Sequence, residues 1–285
     1  MSVPVVRARS LDEALGALER ATADTRLLAG GTDLMLELEI GRTRPDHVID
    51  IWSLDELRGV TAEDGGLRIG ALTDCRELER APLVRERADV LAAAAATVGA
   101  VQIKNRATIG GNLGTASPAA DLAPALVALD ALVRLRSLRG TRELPIAEFL
   151  VGYRATARRP DELIESVFVP ARDPRERRAF KKVGTRAAQS ISKVVVALAL
   201  TVDGGVVRAL RAGAGSVADR TVALPTLERE LVGRAPDRAT LDRAARASAE
   251  RDCAPIDDVR STELYRRHVL RRCLRTMLGD LAGVA

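Results

Sequence analysis

Two glycine-containing stretches decide how this sequence is interpreted: Thr108-Ile109-Gly110-Gly111-Asn112-Leu113-Gly114-Thr115 and, earlier in the chain, Leu27-Leu28-Ala29-Gly30-Gly31-Thr32-Asp33-Leu34. Each has apolar residues before a Gly-Gly pair and polar side chains after it. Because glycine has no Cβ, a phosphate can approach its backbone closely and φ can be positive. The N–H groups at the start of a following helix then face the anion. The two stretches therefore predict glycine turns that hold a diphosphate from opposite sides of a cleft.

The two stretches differ in what they add to the glycines. The first has the order strand, glycine turn and helix, with the helix expected over Thr32–Ile40. The second offers side-chain donors, namely Thr108, Asn112 and Thr115, and Lys104 and Arg106 just before it add positive charge. Neither is GxGxxG, so the nicotinamide-type fingerprint is absent. An ordinary chain-reversing turn remains the alternative interpretation of each pair.

Hydrophobic periodicity outside these stretches predicts three segments. Residues 1–56 read as a compact β-α-β-α-β unit. Residues 57–172 add strands, a long Ala-rich helix over about 83–98 and an apolar helix over 119–129, which Ser117 caps before Pro118. The charged, proline-interrupted stretch Ala171–Arg178 predicts a linker. Residues 179–285 then predict three strands followed by three helices, the strands lying at about 179–184, 193–202 and 206–212.

Composition excludes several classes of protein. Aromatic residues make up 2% of the 285 residues, too few for a protein that binds nucleic acid by stacking its bases. Positive and negative residues are interleaved along the chain, so the net charge of +5 indicates a solvated surface and not a nucleic-acid-binding patch. No apolar run approaches a membrane span or a secretory signal. Three scattered cysteines, with His47 and His268 far apart, predict no metal site and a cytoplasmic location.

The order of motifs resembles a known family. AGGTDL at 29–34 and TIGGNLGTASPAADLAPALVALDA at 108–131 are similar to motifs of the FAD-binding medium subunits of the molybdenum hydroxylases, which include carbon monoxide and xanthine dehydrogenases. Phe180, Lys182 and Arg186 resemble its F-x-K-x-x-x-R segment, and residues 258–266 resemble its D-x-R-x-x-x-x-Y-R segment. The resemblance spans nearly the whole chain in the same order.

The resemblance implies an α+β fold: a vanillyl-alcohol-oxidase-type FAD-binding domain of two α/β subdomains (1–56 and 57–172), then a C-terminal α+β domain with a small antiparallel sheet (179–285). FAD would lie extended between the first two, with Asp121 on a sugar or ribityl hydroxyl and Ile164 and Lys182 near the ring systems. One side of the diphosphate would be wrapped by Leu28, Ala29, Gly30, Gly31, Thr32, Asp33 and Leu34. The other side would be bound by Ala107, Thr108, Gly110, Gly111, Asn112 and Thr115.

The resemblance also implies the function. The chain would be the flavin electron-transfer subunit of an oxidoreductase, taking electrons from 2Fe–2S clusters on a small partner and passing them to an acceptor. A large molybdopterin-binding subunit would complete a dimer of heterotrimers, with neither nucleic acid nor membrane as a partner. Such a subunit needs no catalytic side chain, because the cofactor supplies the chemistry. A free-standing FAD oxidoreductase and a scaffold that has lost FAD are the alternatives.

Two departures from the family pattern limit these expectations. Some relatives carry an acidic residue near the flavin shortly after the Arg of the F-x-K-x-x-x-R segment, and none stands at 187–190 here. The acceptor, whether NAD, quinone or oxygen, is therefore left open. A branch with an inserted four-cysteine 4Fe–4S segment is excluded by the three scattered cysteines.

Overall fold

A parallel three-stranded sheet forms the N-terminal part of the chain (residues 3–57). The computed structural model describes residues 3–187 and 189–284. The elements are β1 (Val5–Arg7), α1 (Leu11–Leu18), β2 (Arg26–Leu28), α2 (Leu34–Glu39), β3 (Val48–Asp50) and a 3₁₀ turn (Asp55–Leu57). The strand order is β1-β3-β2, and Leu15 and Leu18 of the first helix are buried in the same core as Ile49. The predicted β-α-β-α-β unit is confirmed.

An antiparallel five-stranded sheet organises the middle part (residues 60–169), in the order β4-β5-β10-β6-β7. Its strands are β4 (Val60–Glu63), β5 (Gly66–Gly70), β6 (Leu132–Ser137), β7 (Gly140–Pro145) and β10 (Leu163–Val169), with a separate small pair β8 (Leu150–Gly152) and β9 (Ala155–Thr156). Its helices are α3 (Cys75–Arg80), α4 (Pro82–Arg87), α5 (Asp89–Ala96), α6 (Val101–Lys104), α7 (Ile109–Thr115), α8 (Leu122–Ala128) and α9 (Ile146–Phe149).

The C-terminal part (residues 177–284) is an antiparallel sheet covered by helices. The sheet runs β11 (Arg177–Val183), β12 (Val194–Asp203), β13 (Val206–Gly215) and β14 (Val222–Ala223), and the helices are α10 (Pro225–Leu231), α11 (Arg238–Arg251) and α12 (Glu263–Ala282). The apolar run of β12 is buried as its composition predicts. The small antiparallel sheet and the α+β class are confirmed, with one short strand more than predicted.

Two local predictions in the middle part and one at its junction with the C-terminal part are wrong. The single helix predicted over 83–98 is two helices, because the backbone at Ala88 leaves the helical region (φ −142°, ψ 47°). The helix predicted from 119 begins at Leu122, with Asp121 and not Ser117 at its N-cap position. The predicted linker also ends early: β11 begins at Arg177, because Arg177 and Arg178 already pair with Leu200 and Ala199 of β12.

Candidate functional site

The first glycine segment, residues 29–34 between β2 and α2, presents a run of unpaired backbone donors. Within residues 3–187 and 189–284, no hydrogen bond is donated by the N–H groups of residues 30 to 34. Gly31 has φ +77°, a conformation that side-chain-bearing residues rarely adopt. Successive free N–H groups at a turn form a concave site for anionic oxygens. The sequence prediction of a glycine turn after a strand is confirmed here.

The second glycine segment is a helix, and this corrects the prediction of a turn. Thr108 caps α7, and its Oγ1 accepts from the Gly111 N–H at 3.0 Å. The preceding N–H groups are also used, since Ile109 donates to Thr73 O (3.0 Å) and Gly110 to Ala71 O (2.8 Å). The start of α7 is therefore closed to an anion, and this helix can offer only side chains.

Gly110 is required for packing. It is buried, and a Cβ on it would lie 2.7 Å from the Cβ of Ala71 and 2.8 Å from the Ala71 carbonyl oxygen. Those distances leave no room for a methyl group. This glycine permits the close approach of α7 to the residue that follows β5, and not the predicted approach of a phosphate.

The polar face of α7 carries the predicted side-chain donors. Thr108, Asn112 and Thr115 are spaced by four and three residues, so they lie on one side of the helix. Asn112 Oδ1 is buried and has no hydrogen-bond partner among the described residues. A buried amide oxygen normally has a partner, and one without a partner points to a missing ligand or solvent.

Two contacts hold the first glycine segment against α7. At one end, Arg106 Nε donates to Gly30 O at 3.2 Å, and a Cβ on Gly30 would lie 1.6 Å from the Arg106 carbonyl oxygen. At the other end, Thr115 Oγ1 donates to Asp33 Oδ2 at 2.9 Å. The two predicted segments are thus brought together, with Gly31 between the two points of contact.

Of the two basic residues before the second glycine segment, Lys104 and Arg106, only Arg106 brings its positive charge to the first glycine segment. Arg106 lies over the Trp52 ring, 3.8 Å from its centroid, while it bonds the Gly30 carbonyl. Lys104 instead pairs with Glu79 at 2.6 Å. Its charge is therefore neutralised locally, and Arg106 alone of the two contacts the first glycine segment.

Asp121 and Lys182, predicted on separate motifs, form a buried cluster. Lys182 Nζ donates to Asp121 Oδ2 at 2.6 Å and to Thr97 O at 3.1 Å. Ser192 Oγ donates to Asp121 Oδ1 at 2.5 Å. Burial raises the pKa of the Asp121 carboxyl, and Lys182 and Ser192 oppose that rise. Sequence reasoning missed Ser192, because no motif marks it.

The remaining predicted residues line or support the cleft. Ile164 on β10 is buried, and a Cβ on Gly114 of α7 would lie 3.9 Å from its Cδ1. Ala107 O accepts from Cys75 N at 2.8 Å and Leu28 O accepts from Ile51 N at 3.0 Å, so these carbonyls hold the surrounding backbone. Among the residues that the structure describes, no group of three metal-ligating side chains occurs, and no helix could span a bilayer.

The donor set fits FAD. Free N–H groups suit the oxygens of a diphosphate. The unpartnered Asn112 Oδ1 suits a hydrogen-bond donor of the cofactor, and a carboxylate held by a lysine suits a hydroxyl donor. The family model "FAD binding domain in molybdopterin dehydrogenase" matches residues 1–172. The model "CO dehydrogenase flavoprotein C-terminal domain" matches residues 178–281. Together they cover both sides of the cluster around Asp121.

Individual relatives agree with the family models. The chain is 33% identical to the glyceraldehyde dehydrogenase medium chain of Sulfolobus acidocaldarius over 93% of each chain. It is 32% identical to the putative xanthine dehydrogenase FAD-binding subunit of Escherichia coli, over 98% of this chain and 96% of that one. A chain of carbon monoxide dehydrogenase from Hydrogenophaga pseudoflava superposes with a TM-score of 0.94 at 28% identity, covering 99% and 98% of the two chains. The chain belongs to the FAD-binding medium subunits of the molybdenum hydroxylase family, as an oxidoreductase subunit with FAD as its cofactor.

Proposed function

We propose that this chain carries the flavin step of electron transfer in a three-subunit hydroxylase. Electrons from 2Fe–2S clusters on a small partner reach FAD here and leave to an acceptor, while a large molybdopterin-binding subunit oxidises the substrate. Relatives of this chain are named as medium chains of glyceraldehyde and carbon monoxide dehydrogenases and as a xanthine dehydrogenase FAD-binding subunit, which supports the proposal. We also propose a dimer of heterotrimers in the cytoplasm, with the chain divided at 1–56, 57–172 and 179–285.

The observation that carries the proposal is the run of free N–H groups at residues 30–34 opposite the polar face of α7. We propose that residues 28–34 bind one side of the FAD diphosphate and that the α7 side binds the other. The residues on that side, in α7 and directly before it, are Ala107, Thr108, Gly110, Gly111, Asn112 and Thr115. Gly110, Gly111 and Thr108 act there by fixing the start of the helix, and Thr115 acts by holding Asp33. Asn112 offers its side-chain N–H.

The buried cluster is proposed to hold the rest of the cofactor. Asp121 accepts from a ribose or ribityl hydroxyl, Lys182 keeps the carboxylate charged, and Ile164 packs against a ring. FAD, when bound, supplies both one-electron and two-electron chemistry. The protein residues bind and orient it, and none of them is assigned a catalytic proton transfer.

The test is reduction of the bound flavin by its partner. The large and small subunit genes are expected beside this one, and the three chains should co-purify. Small subunit with reduced clusters, mixed anaerobically with the FAD-loaded chain, should bleach the visible flavin absorbance, whereas apo chain mixed in the same way gives no such change. Loaded chain that stays oxidised would contradict electron transfer. Substrate oxidation by this chain alone would favour a free-standing oxidoreductase.

A further inference from the structure

The Asp121 carboxylate is oriented from the C-terminal part of the chain. Asp121 stands at the start of α8 in the middle part, whereas Ser192 precedes β12. Both residues are buried, with 9% and 1% of their surface exposed, and the Ser192 hydroxyl donates to Asp121 Oδ1 at 2.5 Å. A short bond to a buried carboxylate fixes the plane of the carboxyl group.

Ser192 is in turn held by Ser216. The Ser216 hydroxyl donates to Ser192 O at 2.9 Å, and the Ser216 N–H donates to Pro118 O at 2.7 Å. Ser216 has φ +63°, an uncommon conformation for a residue with a side chain. Ser216 therefore links the backbone beside Ser192 to the loop that leads into Asp121.

Arg266 on α12 completes this network. It is 4% exposed, and its Nη1 donates to both Ser216 O and Lys193 O at 2.8 Å. Its Nη2 bonds Asp258 Oδ1 at 2.8 Å, which fixes the guanidinium. Asp258 and Arg266 are the first and last residues of the late D-x-R-x-x-x-x-Y-R segment. That segment is therefore linked to the residues around Asp121 by the bonds from Arg266 to the carbonyl groups of Lys193 and Ser216.

The spacing between α8 and β13 leaves little freedom for this network to shift. A Cβ on Gly213 would lie 2.4 Å from Pro124 O, and one on Gly215 would lie 3.1 Å from Pro118 O. The strand that ends next to Ser216 therefore lies directly against the start of α8. The position of Ser192 relative to Asp121 is set by packing as well as by hydrogen bonds.

We propose that Ser192 and Arg266 are positioning residues for the FAD site: Arg266 fixes Ser216 and the backbone at Lys193, and Ser192 thereby holds the Asp121 carboxylate for a hydroxyl of the cofactor. The proposal rests on the role proposed above for Asp121. In this proposal the late D-x-R-x-x-x-x-Y-R segment supports FAD binding through Ser216 and Ser192, and the segment itself does not contact FAD. The affinity for FAD therefore depends on the C-terminal part of the chain.

The first test compares two buried serines that each donate to an aspartate. Ser192→Ala removes the bond to Asp121, and Ser248→Ala removes a bond of 2.8 Å from Ser248 Oγ to Asp252 in the C-terminal part. In FAD titrations of the apo chain, Ser192→Ala should raise the Kd about tenfold, because a misplaced Asp121 carboxylate loses its one hydrogen bond from the cofactor hydroxyl. Ser248→Ala should leave the Kd unchanged. Equal Kd values for the two variants would overturn the proposal.

The second test separates positioning from general stability by a double-mutant cycle. Arg266→Met should weaken FAD binding in the wild-type background and add little in the Ser192→Ala background, because both act on the same carboxylate. Independent, multiplying effects would overturn the role of Arg266. If Arg266→Met does not fold, Ser216→Ala removes only the hydroxyl bond to Ser192 O and should give the same non-additive pattern.

A measurement without FAD completes the design. In the apo chain, Ser192→Ala should raise the pKa of the Asp121 carboxyl, followed by carbon NMR, because a donor to the charged form is lost. An unchanged carboxyl pKa would overturn the positioning role of Ser192. A wild-type chain that ignores FAD would refute the proposed function instead, so the two failures are distinguishable.

Discussion

Gly30→Ala tests the contact between the two segments that form the cleft. A Cβ at this position would lie 1.6 Å from the Arg106 carbonyl oxygen, and ordinary contact begins at 3.4 Å. The backbone fixes the position of the Cβ, and the carbonyl oxygen is itself a backbone atom, so no bond rotation of a side chain relieves the clash. The first glycine segment and the backbone at Arg106, which precedes α7, must therefore separate by about 1.8 Å at this point.

That separation sets the size of the expected effect. A diphosphate bound to the free N–H groups of residues 30–34 would move out of hydrogen-bond reach of the Asn112 side-chain N–H on α7. The Thr115 hydroxyl already donates to Asp33, so one hydrogen bond to a charged group is lost, worth about 1.5 kcal/mol. The Kd for FAD should therefore rise about tenfold.

The assay is titration of the apo chain with FAD, by calorimetry or flavin fluorescence. Gly16→Ala is the matched control, because Gly16 lies in α1 of the same part and a Cβ there meets nothing within 4 Å. It should bind FAD like the wild type and gain up to about 1 kcal/mol in unfolding free energy. Wild-type affinity in Gly30→Ala would refute the reasoning.

Three further predictions follow from the site. Lys182→Met should lower the unfolding free energy by about 3 kcal/mol at neutral pH, with a smaller loss near pH 4. Burial already raises the folded-state pKa of Asp121, so the unfolding free energy falls as pH rises through that pKa. Without Lys182 the pKa of Asp121 rises further, so the loss grows with pH. A loss that is the same at all pH values in denaturant titrations would contradict this prediction. Gly31→Ala should weaken FAD binding more than Gly233→Ala, which bears a similar positive φ with no close neighbour; equal Kd values would argue against the site. Removing the small partner should abolish electron flow from the molybdenum subunit while FAD stays bound, as flavin absorbance would report.

The N-terminal part and the C-terminal sheet were predictable because local pattern decides them. A strand followed by Gly30-Gly31 and a helical period leaves few alternatives, and the apolar run of β12 cannot be exposed. The start of α7 was not predictable. Gly110 is a glycine because Ala71 lies against it, and Ala71 is distant in sequence.

The Asp121 cluster shows the same limit for the site. Motif order indicated Asp121 and Lys182, but their mutual contact depends on how α8 lies against the C-terminal sheet. Ser192 has no sequence pattern that marks it as a donor. Side chains whose function depends on a long-range contact are visible only in the folded chain.

Residue-resolved amide hydrogen exchange of the apo and FAD-bound chain tests the central claim most directly. The N–H groups of Gly31 and Thr32 have no acceptor among the described residues, so they should exchange fast in the apo chain and gain protection with FAD. The N–H groups of Ile109 and Gly110 are already bonded to Thr73 and Ala71 and should change little. Protection gained at Ile109 and Gly110, with Gly31 and Thr32 unaffected, would contradict the account.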